Sequence, residues 1–233
     1  MKTWWIRLFV VALSIGATWS AAQAAENVAL GKDGGMYGRL GLGYLQINDV
    51  DFSSSSSAYG ISVSANGSYS FDAGVSVSGA VGTHLTQYLR GEVELGYAAA
   101  DYDKLSGALT VTSGGSTYSV TGSADIDGSV TMLTGLANLV YDLGSSKTFK
   151  PYVGGGLGFV NVEDKISSIG TLQINGSETR TKLAGDLQLG FESEISDGVK
   201  AGVQYRYFWA DTGQNGVEDA TAHNLMATIS ATF

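Results

Sequence analysis

Ala222-His-Asn-Leu-Met-Ala-Thr-Ile-Ser-Ala-Thr-Phe233 closes the chain, alternating apolar with polar residues until it stops on an aromatic. Leu225, Ala227, Ile229, Ala231 and Phe233 share one parity; Asn224, Thr228, Ser230 and Thr232 share the other, with Met226 the exception. Successive side chains of a strand point to opposite faces, so this stretch predicts a strand with one greasy and one polar surface. Such a strand suits a soluble core or, with its apolar side chains turned to lipid, a membrane-spanning barrel. The remainder of the chain decides between them by repeating the pattern or failing to.

Residues 1–24 read as a secretory signal peptide. Lys2 and Arg7 charge its start, Leu8-Phe-Val-Val-Ala-Leu13 is its apolar run, and Ala22-Gln-Ala24 is a small-x-small cleavage site. That run is short of the ~20 residues a spanning helix needs, which favours a removed leader over a retained anchor. Residues 25–233 then form one domain. Without Lys2 and Arg7 the basic count falls from 13 to 11 against 22 acidic residues, so the formal net charge is −11. Phosphate recognition needs clustered Lys and Arg, so nucleic acid is not an expected partner. Cysteine is absent, although an exported chain could form disulfides, so stability rests on backbone pairing and packing. No segment after the leader holds the ~18 consecutive apolar residues of a spanning helix. Hydrophobic residues nevertheless make up 44% of the chain, with 33 Gly, 12 Tyr and one Pro. Because lipid leaves no backbone group a water partner, a closed barrel is the remaining way to cross a membrane.

The pattern repeats seven more times. Met36–Leu45 sets Leu40, Leu42 and Tyr44 against Arg39, Gly41 and Gly43. Gly74–Thr83 sets Val75, Val77 and Val81 against Ser76, Ser78 and Ala80; Tyr88–Ala100 sets Leu89, Val93, Leu95 and Tyr97 against Arg90, Glu92 and Glu94. Ser129–Leu143 turns Leu133, Leu139 and Tyr141 outward and Thr134, Asn138 and Asp142 inward, with Met132, Leu136 and Val140 making the inner face less polar. Phe149–Val162 carries Val153, Leu157 and Phe159 outward and glycines 154, 156 and 158 inward, and Pro151 sits at its start, where a missing donor is tolerated. Thr181–Ile195 and Val199–Trp209 place Leu183, Leu187, Leu189, Phe191, Val203, Tyr205, Tyr207 and Trp209 outward. Their other face holds Lys182, Asp186, Gln188, Glu192, Glu194, Lys200, Gln204 and Arg206.

Long polar connections at 48–71, 101–127, 163–180 and 210–221 alternate with short turns such as Ser196-Asp-Gly198. Asn66-Gly67, Gly114-Gly115 and Asn175-Gly176 read as hairpin tips within the long ones. The expected fold is all-β: a transmembrane, eight-stranded, antiparallel, up-and-down β-barrel with both termini periplasmic. A soluble lipocalin-like barrel would have to bury Arg90, Glu92 and Glu94 or expose a broad Leu, Val and Tyr belt. A ten- or twelve-stranded barrel, with loop hairpins promoted to spanning strands, is the other alternative.

Tyr37-Gly-Arg-Leu-Gly-Leu-Gly-Tyr44, Pro151-Tyr-Val-Gly-Gly-Gly-Leu-Gly-Phe159, Ala201-Gly-Val-Gln-Tyr-Arg-Tyr-Phe208 and the terminal Ala231-Thr-Phe233 resemble eight-stranded outer-membrane β-barrel proteins of the opacity-protein and bacterial surface-antigen type. The resemblance implies a surface protein of a Gram-negative outer membrane, adhesive, antigenic or porin-like. It carries over no catalytic residue. The partners it implies are outer-membrane lipid and lipopolysaccharide, periplasmic chaperones and the barrel-assembly machinery, and a surface ligand of the host or environment.

The inward charges Arg39, Arg90, Glu92, Glu94, Lys182, Asp186, Glu192, Glu194, Lys200 and Arg206 are the candidate site. They line an aqueous path or form a salt-bridged plug. Eight strands leave an interior that side chains fill, and buried charges need partners, so the plug is the favoured reading. Expected pairs are Glu192 or Glu194 with Lys200, Gln188 with Arg206, and Arg90 with Glu92 across the interior. Acidic residues at loop bases, Asp101 and Asp103 among them, read as solvated ends without a calcium-loop spacing. Neither metal nor cofactor is expected. Catalysis would need a base beside a nucleophile, and His84 and His223 are the only histidines; His84 falls in an expected periplasmic turn, away from external substrates, and no serine lies at a matching spacing near His223, so no enzyme is expected. The expected role is a structural or surface-interaction one, through 48–71 and 101–127, with a narrow porin-like channel or small-solute transporter as the alternative.

Overall fold

The computed structural model describes residues 35–144, 146, 148–211 and 217–233. The expected leader at 1–24 lies outside them. Ten strands form: β1 (Met36–Ile47), β2 (Val50–Ala58), β3 (Ile61–Phe71), β4 (Gly74–His84), β5 (Leu89–Ser113), β6 (Ser116–Asp142), β7 (Lys150–Ile169), β8 (Leu172–Ser196), β9 (Val199–Ala210) and β10 (Ala220–Thr232). Eight of them close a ring, β1-β4-β5-β6-β7-β8-β9-β10, whose ends meet in the pairing of β10 with β1. The first and last strands pair antiparallel from Tyr37↔Thr232 to Ile47↔Ala222. Closure leaves no free edge within the ring, as a lipid environment requires.

The side-chain parity read from the sequence holds in every ring strand. Leu42, Val93 and Leu187 are 60–68% exposed on the outer surface, whereas Glu92, Asp186 and Gln204 are 1–4% exposed inside. A soluble barrel has the opposite polarity, so this outward belt of Leu, Val, Tyr and Phe calls for lipid around it. The lipocalin alternative is thereby set aside.

Beyond the ring, the structure departs from the expected loops. Residues 101–127 and 163–180, expected as long polar loops with hairpin tips inside them, are strand up to their reversals and continue the ring strands: β5 and β6 stay paired out to Ser113↔Ser116, and β7 and β8 out to Ile169↔Leu172. Both faces of these extensions meet water, so the lipid-versus-lumen contrast that marks a spanning strand is missing from their sequence. β2 and β3 form a hairpin that joins the sheet through β3 on the outer half of β5, Ile61↔Ser113 to Tyr69↔Leu105. They add a four-stranded outer sheet (β2-β3-β5-β6) without widening the ring, so the ten-stranded alternative does not arise.

Two hairpin tips also move. The β2–β3 reversal is at Tyr59 and Gly60, with φ of 51° and 77°, the paired positive values a two-residue type I′ turn requires. Asn66 and Gly67 sit inside β3 instead, opposite Ser53 and Phe52. The β7–β8 reversal is at Gly170 (φ 56°), while Asn175 adopts φ 52° where the ladder shifts register between Ile166 and Ser168. An Asn-Gly pair supplies left-handed backbone to a bulge as readily as to a turn. Gly114 and Gly115, with φ of 59° and 83°, do form the β5–β6 tip.

Leu95 lies midway along the ring portion of β5 and faces outward at 58% exposure. Leu95→Arg is expected to destabilise the barrel by about 2–4 kcal/mol in reversible urea unfolding from lipid vesicles, the cost of a cation near the bilayer midplane. A change below about 0.5 kcal/mol would mean that this face does not contact hydrocarbon.

Candidate functional site

The inner face of β5 carries Arg90, Glu92 and Glu94 at every second position, and the ring brings other strands' charges onto them. Arg206 of β9 grips Glu94 with both terminal nitrogens, at 2.5 and 2.7 Å, and its Nε lies 2.8 Å from Asp186 of β8. Arg39 of β1 lies 2.5 Å from Glu92 and 3.3 Å from Glu94, and donates to Gln204 Oε1 at 3.2 Å. Arg90 reaches Asp142 of β6 at 2.8 Å and Glu192 of β8 at 3.4 Å, with Glu92 at 3.9 Å. Lys150 at the start of β7 closes on the other oxygen of Asp142 at 2.7 Å. Four cations therefore meet five carboxylates across the lumen.

Neutral groups complete this layer. The Tyr37 hydroxyl donates to Glu92 at 2.5 Å, and Gln204 donates to Gln188. The Arg90 guanidinium packs 5.5 Å from the centre of the Tyr37 ring and 5.2 Å from that of Tyr152, within cation–π range. Charge-assisted and bidentate contacts of this kind are the strongest that arginine makes, and they offset the desolvation of a buried ion. Inward glycines make the space: a β-carbon on Gly156 would collide with the Asn138 amide and Asp186, and one on Gly190 would meet Tyr152 Oη at 2.6 Å.

Of the ten residues named from sequence, seven come together here: Arg39, Arg90, Glu92, Glu94, Asp186, Glu192 and Arg206. Three do not. Lys182 lies toward the long-loop end of β8, and Glu194 and Lys200 face each other in register near the β8–β9 turn, partly exposed. Several expected partners change as well. Glu192 turns to Arg90, Arg206 takes Glu94 and Asp186, and Arg90 and Glu92 are neighbours on one strand rather than partners across the interior. Tyr37, Asp142, Lys150 and Tyr152 were missed as members, although all share the inward parity of their strands.

Histidine sits elsewhere. His223 Nδ1 is 2.5 Å from the Tyr205 hydroxyl and its Nε2 is 3.4 Å from the Asn48 amide. His84 ends β4, its ring 5.5 Å from that of Tyr37.

The outer sheet has a different chemistry. Residues 53–71 and 105–124 contain no charged side chain and are rich in Ser, Thr and Gly. Exposed hydroxyls pair across its strands, Ser57 with Ser62 at 2.8 Å and Thr110 with Ser119 at 3.1 Å. Tyr59 and Tyr118 stand out in solvent. Below the sheet, Tyr102 donates to Asp164 at 2.8 Å; burial first and then that carboxylate push its pKa up, so the hydroxyl stays protonated. The exposed Glu178 carboxyl is held below the usual range by its hydrogen bond from Arg180.

The profile of the outer membrane protein beta-barrel domain matches residues 9–233. The chain belongs to that family. It is an eight-stranded outer-membrane barrel. Among curated relatives of this barrel, a protein of Rickettsia prowazekii (strain Madrid E) provisionally named an adhesin is 27% identical over 212 residues, spanning 90% of this chain and 85% of that protein. Among solved structures, Neisserial surface protein A is similar at 17% identity and a TM-score of 0.47, over 85% of this chain and 97% of that one. Ail, the attachment invasion locus protein of Yersinia pestis, solved with the heparin analogue sucrose octasulfate, is similar at 14% identity and a TM-score of 0.46, over 85% and 99% of the two chains.

Removing one partner of a buried ion pair strands the other charge, at about 3–5 kcal/mol. Glu94→Ala is expected to destabilise the barrel by that amount in vesicle unfolding, and Glu194→Ala by less than about 1 kcal/mol, as for an ion pair open to solvent. Equal costs for the two variants would contradict an energetic distinction between lumen and turn end.

Proposed function

We propose that this outer-membrane barrel is a surface-attachment protein whose lumen is closed by the Arg39–Arg90–Arg206 ion cluster and whose outer sheet makes the adhesive contact. The observation that carries the reading is the division of labour between the two ends. Charges in the lumen are paired and buried, while the distal part of the projecting sheet, residues 53–71 and 105–124, is uncharged, hydroxyl-rich and tipped by Tyr59 and Tyr118. Tyrosine supplies large, rigid, amphipathic contact area, and Ser and Thr supply adaptable hydrogen bonds, a combination suited to a protein or glycan surface. The name of the rickettsial relative supports the same role. Long connections at one end and short turns at the other support an orientation with the outer sheet outside the cell and both termini periplasmic.

Recognition by an uncharged sheet depends little on ionic strength. Cells displaying the protein are expected to adhere to cultured host cells nearly as well at ~1 M salt, where the Debye length is about 3 Å, as at low salt. Tyr59→Ala with Tyr118→Ala should lower adherence at least about tenfold, the effect of losing about 1.4 kcal/mol or more. Adherence that collapses with salt but tolerates the tyrosine changes would contradict the reading. In planar bilayers the purified barrel is expected to show no steady conductance steps; large, stable steps would make it a channel instead.

A further inference from the structure

The lumen has two storeys. Above the ionic cluster, toward the outer sheet, Leu45, Ile47, Ala100, Val130, Val160, Phe208, Ala210 and Ala222 form a single buried apolar cluster. Over it opens a cavity of about 610 Å³, walled mainly by apolar side chains such as Ile47, Phe71, Val130, Met132, Val162 and Phe208. Met132 and Phe208 are also the roof of a void of only about 40 Å³ that Arg206 and Asn224 line from below. These two side chains therefore form a floor between the chamber and the ion cluster.

A polar lumen mouth needs no such room. An apolar chamber of this size, with a few polar groups at one wall, matches the sites that take up small molecules. Its charged wall is nearly balanced, with Asp164, Glu178 and Asp211 against Arg180 and Lys182. The Tyr102–Asp164 hydrogen bond at 2.8 Å and the Asp164–Arg180 approach at 4.0 Å hold that wall together. A strongly anionic or cationic ligand gains little from it, whereas an uncharged or zwitterionic head can hydrogen-bond along it. We infer that the chamber binds a hydrocarbon chain, free or carried by a head of zero net charge, in a blind site closed below by Met132 and Phe208. This site is separate from the adhesive sheet, and neither proposal requires the other.

The sequence provides its own reporters. After the leader the methionines are Met36 at the turn end, Met132 in the chamber floor and Met226 deep in the lumen. Full-length mature protein, folded and transferred to amphipol, is labelled on its methionine methyls and titrated with n-decane in one arm and a monoacyl phosphocholine in the other. The expected result is a saturable shift of the Met132 methyl while Met36 and Met226 stay in place. A shift in both arms, or with decane alone, means that the chain is the ligand; a shift with the phosphocholine alone narrows the ligand to a lipid chain with its head. Ala222→Phe, which fills the chamber wall, should weaken the response at least about tenfold. Ile166→Asp on the opposite wall is the second variant, and heat-modifiable gel migration shows that each is folded. No shift at Met132, equal shifts at all three methyls, or a response unchanged in the folded variants would overturn the proposal.

Discussion

A backbone that crosses lipid has to satisfy every amide within itself, and in this chain the pairing of β1 with β10 meets that requirement. Once the ring is shut, side-chain parity has only two destinations, lipid and lumen. Everything else about the molecule follows from which residues are sent where. The apolar parity makes the belt, and the polar parity is confined to the ring's interior, where Arg39, Arg90 and Arg206 are buried.

Confinement explains the shape of the ion cluster. Buried charges persist where they are paired with good geometry, and the three arginines here are each held by at least two carboxylates. The inward glycines on β7 and β8 are part of the same solution, since long side chains from opposite strands meet where those glycines have no β-carbon. Toward the outer end the charges withdraw to one wall, where Asp164 meets Tyr102 and Arg180. The lumen otherwise turns apolar there, and the strands continue past the ring as a water-exposed sheet whose chemistry is hydroxyl and aromatic.

The sequence made the ring legible because lipid and lumen impose opposite polarity on alternate residues; Val93 against Glu92 and Leu187 against Asp186 are unambiguous. It concealed how far the outer strands run because a sheet with water on both faces has no such contrast, so the hairpin tipped by Gly114-Gly115 was legible while its continuity with the ring strands β5 and β6 was not. Partner choice was hidden for another reason. Which carboxylate meets Arg90 depends on the stagger of strands around the ring, and that stagger brings Asp142 and Glu192 to it. Asn66-Gly67 and Asn175-Gly176 misled because left-handed propensity marks bulges as well as tips. The apolar upper lumen was foreshadowed only by Met132 on an inner face; Ile47, Phe208 and Ala222 gave no signal of a chamber without the ring to gather them.

The central claim is an oily exterior around a dry, ion-paired interior, and the absence of native cysteine allows it to be measured directly. Single spin-labelled cysteines at Val93 and at Gln204, in protein reconstituted into lipid vesicles, are relaxed by oxygen, which partitions into hydrocarbon, and by a water-soluble nickel chelate. The account predicts strong oxygen and weak nickel relaxation at position 93, and weak relaxation by both at position 204. Strong nickel relaxation at position 204 would show a lumen open to water and would contradict it.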